Sequence, residues 1–373
     1  MRDEAPSRRC RIDLIAGTRP NLVKLGPLST QLAAQPWCQA DVVFLEQHTA
    51  QALSSEVMAD LGIDAGRVHR IPLEQGGSGY RLGEMVSRYG EHARHRQPDL
   101  VIVFGDVDAT LAATLSAKRE GLVVAHVEAG LRSLDRRMPE ELNRLMVDAI
   151  ADMFFTTTAE ASATLHAEGH DPERVHLVGN LMIDSLHRSL DLPTGRIRAR
   201  ELGLTPGEFL VATFHRPSNV DHPDSLRNVL DLLEQVTRRL PVLLPLHPRT
   251  SAALERHGLR GRIEAIPGLR LTQPIRYAEF VSLIGLARLA ITDSGGIQEE
   301  TTVLGIPCLT FRENTERPET ITLGTNRLVD IANASRCVEE ILDTPPPGRP
   351  EIPLWDGQCA ARIARVLESW WTQ

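Results

Sequence analysis

The sequence predicts an α/β protein with two doubly wound parallel sheets that face a central cleft. Short apolar segments alternate with helical patterns, which is typical of parallel strands joined by crossover helices. This alternation starts again after residues 191–195, a segment that contains Pro193 and Gly195 and is predicted to be a linker. The chain has 373 residues, enough for two cores. We predict an N-terminal domain over residues 1–190 and a C-terminal domain over residues 191–357, with a last helix over about 358–373 packing back on the first domain.

Bulk composition excludes several classes of partner. The formal net charge is −8, so a nucleic-acid or anionic-membrane surface is not expected. Five cysteines without CxxC spacing indicate a reducing compartment and neither a disulfide framework nor a structural zinc site. The charged first nine residues do not resemble a signal peptide, and no apolar run has the length of a membrane span. We expect a cytoplasmic protein without a metal.

The first predicted strand and helix are joined by a turn with two nearby cations. Ile12–Ala16 is the strand, and helical periodicity runs from Pro20 through Ala33. Arg19 and Lys24 place positive charge beside the turn. A solvated helix start and an anion contact are both compatible with these residues. Because GxGxxG is absent, a dinucleotide fingerprint is not predicted.

Carboxylates follow two further predicted strands of the first half. Asp106 comes after an apolar strand at 100–104, and Glu128 comes after a strand at 123–127. Glu140 opens a helix whose first turn contains Pro139. Open α/β sheets bind ligands at the carboxyl ends of their strands, so these three acids are candidates for one site. Singly, each would be an ordinary cap or ion-pair partner.

In the second half, polar residues again follow the predicted strands. His215 and Arg216 follow the strand at 209–213, and His247 follows the strand at 241–246. The strand at 289–292 leads into a turn and then a helix, an arrangement that offers backbone N–H groups and a positive dipole end to an anion. The residues of this turn and helix that we expect to contact a ligand are Ser294, Gly295, Gly296 and Glu300.

Six sequence motifs stand in order along the chain: GTRPNLVKLGPL from Gly17, HVEAGLR from His126, PEELNR from Pro139, DSGGIQEE from Asp293, GIP from Gly305 and TERPE from Thr315. Together they resemble the motifs of the non-hydrolysing UDP-N-acetylglucosamine 2-epimerases, over residues 12 to about 329. The resemblance implies two Rossmann-like domains of the glycosyltransferase-B type and a homodimer. It also implies reversible C2 epimerisation of UDP-N-acetylglucosamine to UDP-N-acetylmannosamine, which supplies surface polysaccharide synthesis.

The resemblance also implies the roles of individual residues. The catalytic residues would be Asp106, Glu128, Glu140 and His215. The residues that bind the UDP-sugar would be Arg19, Lys24, Arg144, Arg216, His247, Ser294, Gly295, Gly296, Glu300 and Arg317. No cofactor is expected, since elimination of UDP followed by re-addition needs only acid and base groups and a stabilised leaving group.

Three departures from the family pattern leave other functions open. Thr49 after Gln47-His48 replaces a larger residue of a regulatory segment, and Val107-Asp108 replaces the usual threonine pair. The spacing from Glu128 to Glu140 is also short. A 2-epimerase of a related UDP-sugar such as an N-acetylated uronate, or a glycosyltransferase of the same fold, is the alternative. A hydrolysing epimerase is disfavoured by the HVEAGLR and PEELNR motifs, and a non-catalytic UDP-sugar binding module is disfavoured by the three acids.

Overall fold

The computed structural model describes residues 8–46, 55–74, 76–346 and 348–373. The predicted Gln47-His48-Thr49 segment lies outside the described residues, as does the side chain of Arg19. The chain forms two compact units: unit 1 comprises Met1–Ser185 with Pro353–Gln373, and unit 2 comprises Leu186–Ile352.

Unit 1 contains a parallel sheet of seven strands in the order β3-β2-β1-β4-β5-β6-β7. The strands are β1 (Cys10–Ala16), β2 (Cys38–Glu46), β3 (Val68–Pro72), β4 (Leu100–Phe104), β5 (Val123–Val127), β6 (Met153–Thr156) and β7 (Val175–Leu177). The helices are α1 (Arg19–Ala33), α2 (Ser55–Asp60), α3 (Ser78–Arg96), α4 (Asp108–Arg119), α5 (Pro139–Ile150), α6 (Ala159–Ala167) and α7 (Leu181–Ser189). All five residues of β4 are buried, as expected for a strand covered on both faces.

Unit 2 contains a parallel sheet of six strands in the order β10-β9-β8-β11-β12-β13. The strands are β8 (Leu210–Thr213), β9 (Val242–Pro245), β10 (Leu269–Thr272), β11 (Leu289–Thr292), β12 (Cys308–Phe311) and β13 (Asn326–Val329). The helices are α8 (Leu192–Glu201), α9 (Pro217–Val220), α10 (Pro223–Val236), α11 (Pro248–Arg256), α12 (Arg260–Glu264), α13 (Tyr277–Ile284), α14 (Gly295–Leu304), α15 (Glu319–Thr322) and α16 (Ile331–Leu342). Separate apolar clusters cover its two faces, one including α10 and α16 and the other α8, α13 and α14.

Both sheets have the Rossmann strand order. In each unit the first strand, β1 or β8, lies between the second strand and the fourth, so the direction of the connections reverses there. Each unit is therefore Rossmann-like, and the predicted fold class is confirmed at this level. The carboxyl ends of β1 and β4 in unit 1, and of β8 and β11 in unit 2, are the places where such sheets bind ligands.

The segment at residues 191–195, which we predicted to be a linker, contains the N-cap and the first turn of α8. Asp191 is the N-cap of α8, because its carboxylate accepts hydrogen bonds from the backbone N–H of Thr194 at 3.1 Å and from the hydroxyl of Thr194 at 2.7 Å. A Cβ atom on Gly195 would lie 2.8 Å from the Cβ atom of Ser282, so glycine allows α8 to pack closely on α13. The chain passes from unit 1 to unit 2 inside α7. The limits of the functional domains stay a prediction.

The last helix, α17 (Cys359–Thr372), belongs to unit 1 and packs on α1. Its N-terminus is held by the buried carboxylate of Asp184, which accepts hydrogen bonds from the backbone N–H of Cys359 at 3.0 Å and of Ala360 at 2.8 Å. Trp355, just before this helix, donates an indole hydrogen bond to the carbonyl of Thr157. Among the helices within the described ranges, none is long and apolar enough to cross a membrane.

Candidate active site

Two of the predicted catalytic acids follow neighbouring strands of unit 1. Phe104 at the end of β4 is paired with Val127 at the end of β5, and Gly105 donates a backbone hydrogen bond to the carbonyl of Val127 at 3.0 Å. Asp106 and Glu128 therefore leave the same edge of the sheet. Glu128 has a φ angle of 68°, in the left-handed region that is unfavourable for a residue with a side chain. Such strain is concentrated at functional sites.

Lys24 of α1 lies against Glu128. Its Nζ atom is 2.6 Å from the Oε2 atom of Glu128, whose side chain is 3% exposed. A Cβ atom on Gly105 would lie 3.3 Å from this Nζ atom, and Gly105 has a φ angle of 63°. Glycine at this position therefore satisfies the backbone conformation and leaves room for the lysine. The lysine compensates the charge of a carboxylate that is almost removed from water.

Arg144 of α5, predicted to bind substrate, contacts Asp106. Its buried guanidinium forms ion pairs with Asp106 and with Glu141, the latter at 2.8 Å. Glu141 in turn accepts hydrogen bonds from the backbone N–H groups of Ser133 and Leu134. Burial by itself would raise the pKa of Glu141, but the Ser133 N–H and the Arg144 guanidinium outweigh it and the pKa is lowered. The ionised carboxylate of Glu141 thus holds one side of the Arg144 guanidinium, and the other side contacts Asp106.

The remaining predicted residues of unit 1 lie near the same helix or strand ends. Glu140 is half-buried in the first turn of α5, and the backbone of Arg19 begins α1. Sequence reasoning missed Asn143, whose side-chain amide donates to the backbone carbonyl of Asp106 at 2.8 Å and to the carboxylate of Asp108 at 3.2 Å. Asn143 lies three residues after Glu140 in the PEELNR motif, so helical spacing could have indicated that it lies near the same site.

In unit 2, a buried carboxylate that we did not predict organises the residues after β8. Asp293, at the end of β11, accepts hydrogen bonds from the backbone N–H groups of His215 and Arg216 and from the side-chain amide of Asn219 at 3.0 Å. The Nδ1 atom of His215 is 2.8 Å from the same carboxylate. Burial would raise the pKa of Asp293, but its contact with His215 and these hydrogen bonds lower it. An ionised aspartate therefore orients the predicted catalytic histidine.

His247 lies beside His215, with 5.1 Å between the ring centroids. Its Nδ1 atom accepts a hydrogen bond from the backbone N–H of Arg249 at 3.2 Å and so caps α11. Partial desolvation and the neighbouring His215 lower the pKa of His247. A neutral His247 agrees with the acceptor role of its Nδ1 atom.

The N-terminus of α14 is covered by the guanidinium of Arg317. Arg317 forms ion pairs with Glu299 at 2.7 Å and with Glu316. A Cβ atom on Gly295 would lie 2.8 Å from the Nη1 atom of Arg317, so the glycine makes room for this arginine. The helix starts after Ser294, whose backbone N–H donates to the hydroxyl of Thr292. Arg317, ion-paired with two glutamates, therefore lies at the positive end of the helix dipole.

Glu300 lies one turn inside α14 and is buried. Burial raises the pKa of Glu300 to about 8, although Tyr277 of α13 opposes the shift. At neutral pH this side chain is therefore mainly a carboxylic acid. Its expected contact with ribose hydroxyls stays a prediction.

Two of the three motifs in unit 2 are joined by a glutamine that we did not predict as a site residue. The Oε1 atom of Gln298 accepts hydrogen bonds from the hydroxyl of Thr315 at 2.8 Å and from the side-chain amide of Asn326 at 2.9 Å. Thr315 opens the TERPE motif, and Gln298 belongs to the DSGGIQEE motif. No cluster of three or more potential metal-binding side chains occurs in the part of the chain that the structure describes.

The fold and these residue sets define a protein of the glycosyltransferase-B-like class, with two Rossmann-like units. Within that class, the chain belongs to the UDP-N-acetylglucosamine 2-epimerase family, whose model matches residues 30–368. The family assignment made from the sequence motifs is confirmed.

Similar proteins are known from archaea and bacteria. UDP-N-acetylglucosamine 2-epimerase of Methanococcus maripaludis is 32% identical over 89% of this chain and 92% of its own length. UDP-2,3-diacetamido-2,3-dideoxy-D-glucuronate 2-epimerase of Pseudomonas aeruginosa is 34% identical over 86% of this chain and 89% of its own length. The crystal structure of Methanocaldococcus jannaschii UDP-GlcNAc 2-epimerase in complex with UDP-GlcNAc and UDP has a TM-score of 0.87 and 31% identity, covering 96% of this chain and 99% of that chain.

Proposed function

We propose that this chain interconverts UDP-N-acetylglucosamine and UDP-N-acetylmannosamine by reversible epimerisation at C2. The observation that carries the proposal is the pair of carboxylates at the ends of β4 and β5, Asp106 against Arg144 and Glu128 against Lys24. Membership of the epimerase family supports the substrate class.

Chemistry favours elimination as the route. The C2 hydrogen is not adjacent to a carbonyl, so it is not removed as in enolate chemistry. Instead, UDP leaves C1 with the C1–O electron pair while a base takes the C2 proton, which gives 2-acetamidoglucal and UDP. Protonation of C2 from the other face and re-addition of UDP to C1 complete the epimerisation. This route needs acid and base groups on both faces of the ring, a task that we assign to Asp106, Glu128 and Glu140.

Unit 2 is proposed to bind UDP. The N-terminus of α14 and the side chains of Arg216, His215 and Arg317 would stabilise the departing diphosphate. The ionised carboxylate of Asp293 supports this assignment because it fixes both His215 and the backbone of Arg216. Glu300 would contact the ribose of UDP, and His247 would be a further polar residue beside the bound UDP-sugar.

The test is proton NMR of UDP-N-acetylglucosamine with the purified protein in deuterated buffer. We expect UDP-N-acetylmannosamine with deuterium at C2. Asp106→Asn, Glu128→Gln and Glu140→Gln should each slow this exchange by about 100-fold or more, within the range for removal of an acid or base group, and leave UDP affinity nearly unchanged. The matched control is Glu173→Gln, an exposed acid of unit 1. Near-wild-type turnover in all three variants would contradict the assignment of these acids as catalytic residues.

A second candidate is epimerisation of a UDP-linked N-acetylated uronate. The Pseudomonas relative with that activity in its name is 34% identical, and Val107-Asp108 follows Asp106 in place of the family's threonine pair. The same NMR experiment with UDP-2,3-diacetamido-2,3-dideoxyglucuronate separates the two substrates. Exchange with the uronate alone would favour this candidate, whereas free N-acetylmannosamine and UDP as sole products would indicate a hydrolysing enzyme.

We further propose that the protein is a cytoplasmic homodimer whose product serves surface polysaccharide synthesis. The motif resemblance supports the dimer and the pathway, and the five cysteines without CxxC spacing support a reducing compartment. Analytical ultracentrifugation tests the dimer, and loss of a surface polysaccharide in a deletion strain tests the pathway.

A further inference from the structure

A buried histidine joins the two strand ends that carry Asp106 and Glu128. His126 lies on β5, two residues before Glu128, and is fully buried. Its Nε2 atom is 2.9 Å from the carbonyl oxygen of Gly105, the residue directly before Asp106. Since a carbonyl only accepts, the Nε2 atom carries the hydrogen and donates it. The histidine thus holds the backbone of the neighbouring strand end.

The other side of the ring contacts Asp148 of α5. The Nδ1 atom of His126 is 2.6 Å from the Oδ1 atom of Asp148. The Oδ2 atom of Asp148 accepts hydrogen bonds from the backbone N–H of Gly130 at 3.1 Å and from the guanidinium of Arg132 at 2.7 Å. Burial would raise the pKa of Asp148, but His126 and Arg132 lower it, so this carboxylate is an ionised acceptor.

We propose that His126 and Asp148 are a positioning pair that fixes Asp106 and Glu128 relative to each other. His126 restrains the residue before Asp106, and Asp148 restrains Gly130, the second residue after Glu128. Neither side chain is assigned contact with substrate. The inference rests on the proposed function, because it gives the pair a role in the same reaction.

Backbone strain explains why such a restraint is needed. Glu128 and Gly130 have φ angles of 68° and 79°. The left-handed conformation costs a non-glycine residue free energy and persists only where surrounding contacts enforce it. A Cβ atom on Gly130 would lie 2.2 Å from the carbonyl oxygen of Ala161, so this turn is also closely packed against α6. Without the hydrogen bond from Gly130 to Asp148, the turn that carries Glu128 loses one of the contacts that enforce its left-handed backbone conformation.

Two isosteric substitutions separate the two contacts of the ring. His126→Asn places an amide near the former Nδ1 position and keeps a donor toward Asp148. His126→Gln places its amide near the former Nε2 position and keeps a donor toward Gly105. Misplacement of a reacting group by about 1 Å lowers turnover by about 100-fold, so we expect His126→Ala to lose about 100-fold in kcat and each amide variant about 10-fold.

The readout is the split between kcat and KM. A positioning role lowers kcat while KM and UDP affinity stay within about threefold of wild type, because the chemical step alone depends on the carboxylate geometry. His176→Asn is the control, since His176 is a strand histidine of unit 1 that packs on Phe155. If calorimetry shows that both proteins are folded and His126→Ala has the same kcat as wild type, the inference is wrong. Recovery of part of the lost kcat by either amide variant supports it.

A structural measurement keeps this test separate from that of the proposed function. If the wild-type protein epimerises no UDP-sugar, the proposed function fails, and crystal structures of wild type and His126→Ala then decide the inference. A changed distance between the Cα atoms of Asp106 and Glu128 supports the positioning pair. An unchanged distance refutes it.

Discussion

Gly295→Ala tests the arrangement at the start of α14. The new Cβ atom would lie 2.8 Å from the Nη1 atom of Arg317, 3.2 Å from its Cζ atom and 3.1 Å from the Oε1 atom of Glu316. Arg317 has little freedom to move away, because its guanidinium is ion-paired with Glu299 at 2.7 Å and with Glu316. The substitution must therefore displace a buried ion-pair network.

The expected effects are a loss of stability and a loss of UDP affinity. Overpacking of a filled site costs about 1–3 kcal/mol, which should lower the thermal transition seen by calorimetry. If Arg317 contacts a phosphate of UDP, displacing it removes a charge-assisted hydrogen bond worth about 1.5–3 kcal/mol. This corresponds to a Kd for UDP that is raised about 10- to 150-fold, measured by isothermal titration calorimetry.

Gly83→Ala is the matched control. Gly83 lies in α3, and nothing comes within 4 Å of a Cβ atom built there. Alanine should stabilise this helix by about 0.5–1 kcal/mol and leave UDP affinity unchanged. If Gly295→Ala binds UDP and unfolds as the wild type does, Arg317 is not fixed over Gly295 and the account of this helix terminus is wrong.

Three further predictions follow from buried ionisable side chains. The lowered pKa of Asp293 means that its carboxylate stabilises unit 2 above about pH 4 and that this contribution is lost as the pH falls through the folded-state pKa. Asp293→Asn should therefore lower the free energy of unfolding by about 1–3 kcal/mol at neutral pH. In unfolding curves recorded in acid, the difference between this variant and wild type should be smaller. Lys24→Met removes the cation beside buried Glu128 and should lower the free energy of unfolding, measured in urea, by about 3–5 kcal/mol. Adding Glu128→Gln to this variant should restore most of the loss. Additive losses in the double variant would contradict the pairing of the two residues. The pKa of Glu300, about 8, predicts that UDP affinity by calorimetry rises from about pH 7 to 9 as the carboxylate forms, and Glu300→Gln should abolish the rise.

The strands were predictable because parallel strands buried on both faces leave apolar runs, such as 100–104 in β4. The segment at 191–195 shows what composition alone does not reveal. Pro193 and Gly195 are equally typical of a linker and of a helix start, and only the cap formed by Asp191 and the close approach of Ser282 distinguish the two. The cap is local, since Asp191 and Thr194 are three residues apart, whereas the contact with Ser282 leaves no local signal because Ser282 is distant along the chain.

Which side chains the candidate site residues contact was hard to predict from the sequence. Glu140 and Glu141 are adjacent in one motif, yet Glu140 is half-buried and Glu141 is buried against Arg144. Helical geometry explains the difference, since Glu141 and Arg144 are three residues apart and share the inward face of α5. From the sequence we placed Arg144 among the substrate-binding residues, but its contact with Asp106 depends on tertiary packing, in which α5 lies against α4.

In each unit a buried aspartate contacts both the Nδ1 atom of a histidine and a backbone N–H group. In unit 1, Asp148 contacts the Nδ1 atom of His126 and the backbone N–H of Gly130; in unit 2, Asp293 contacts the Nδ1 atom and backbone N–H of His215. In both, burial opposes ionisation but the pKa is lowered, because the histidine and the other donors outweigh desolvation. A neutral side chain in either place would leave backbone N–H groups without a charged acceptor. The buried aspartates therefore restrain the backbone of the loops that carry the candidate catalytic groups.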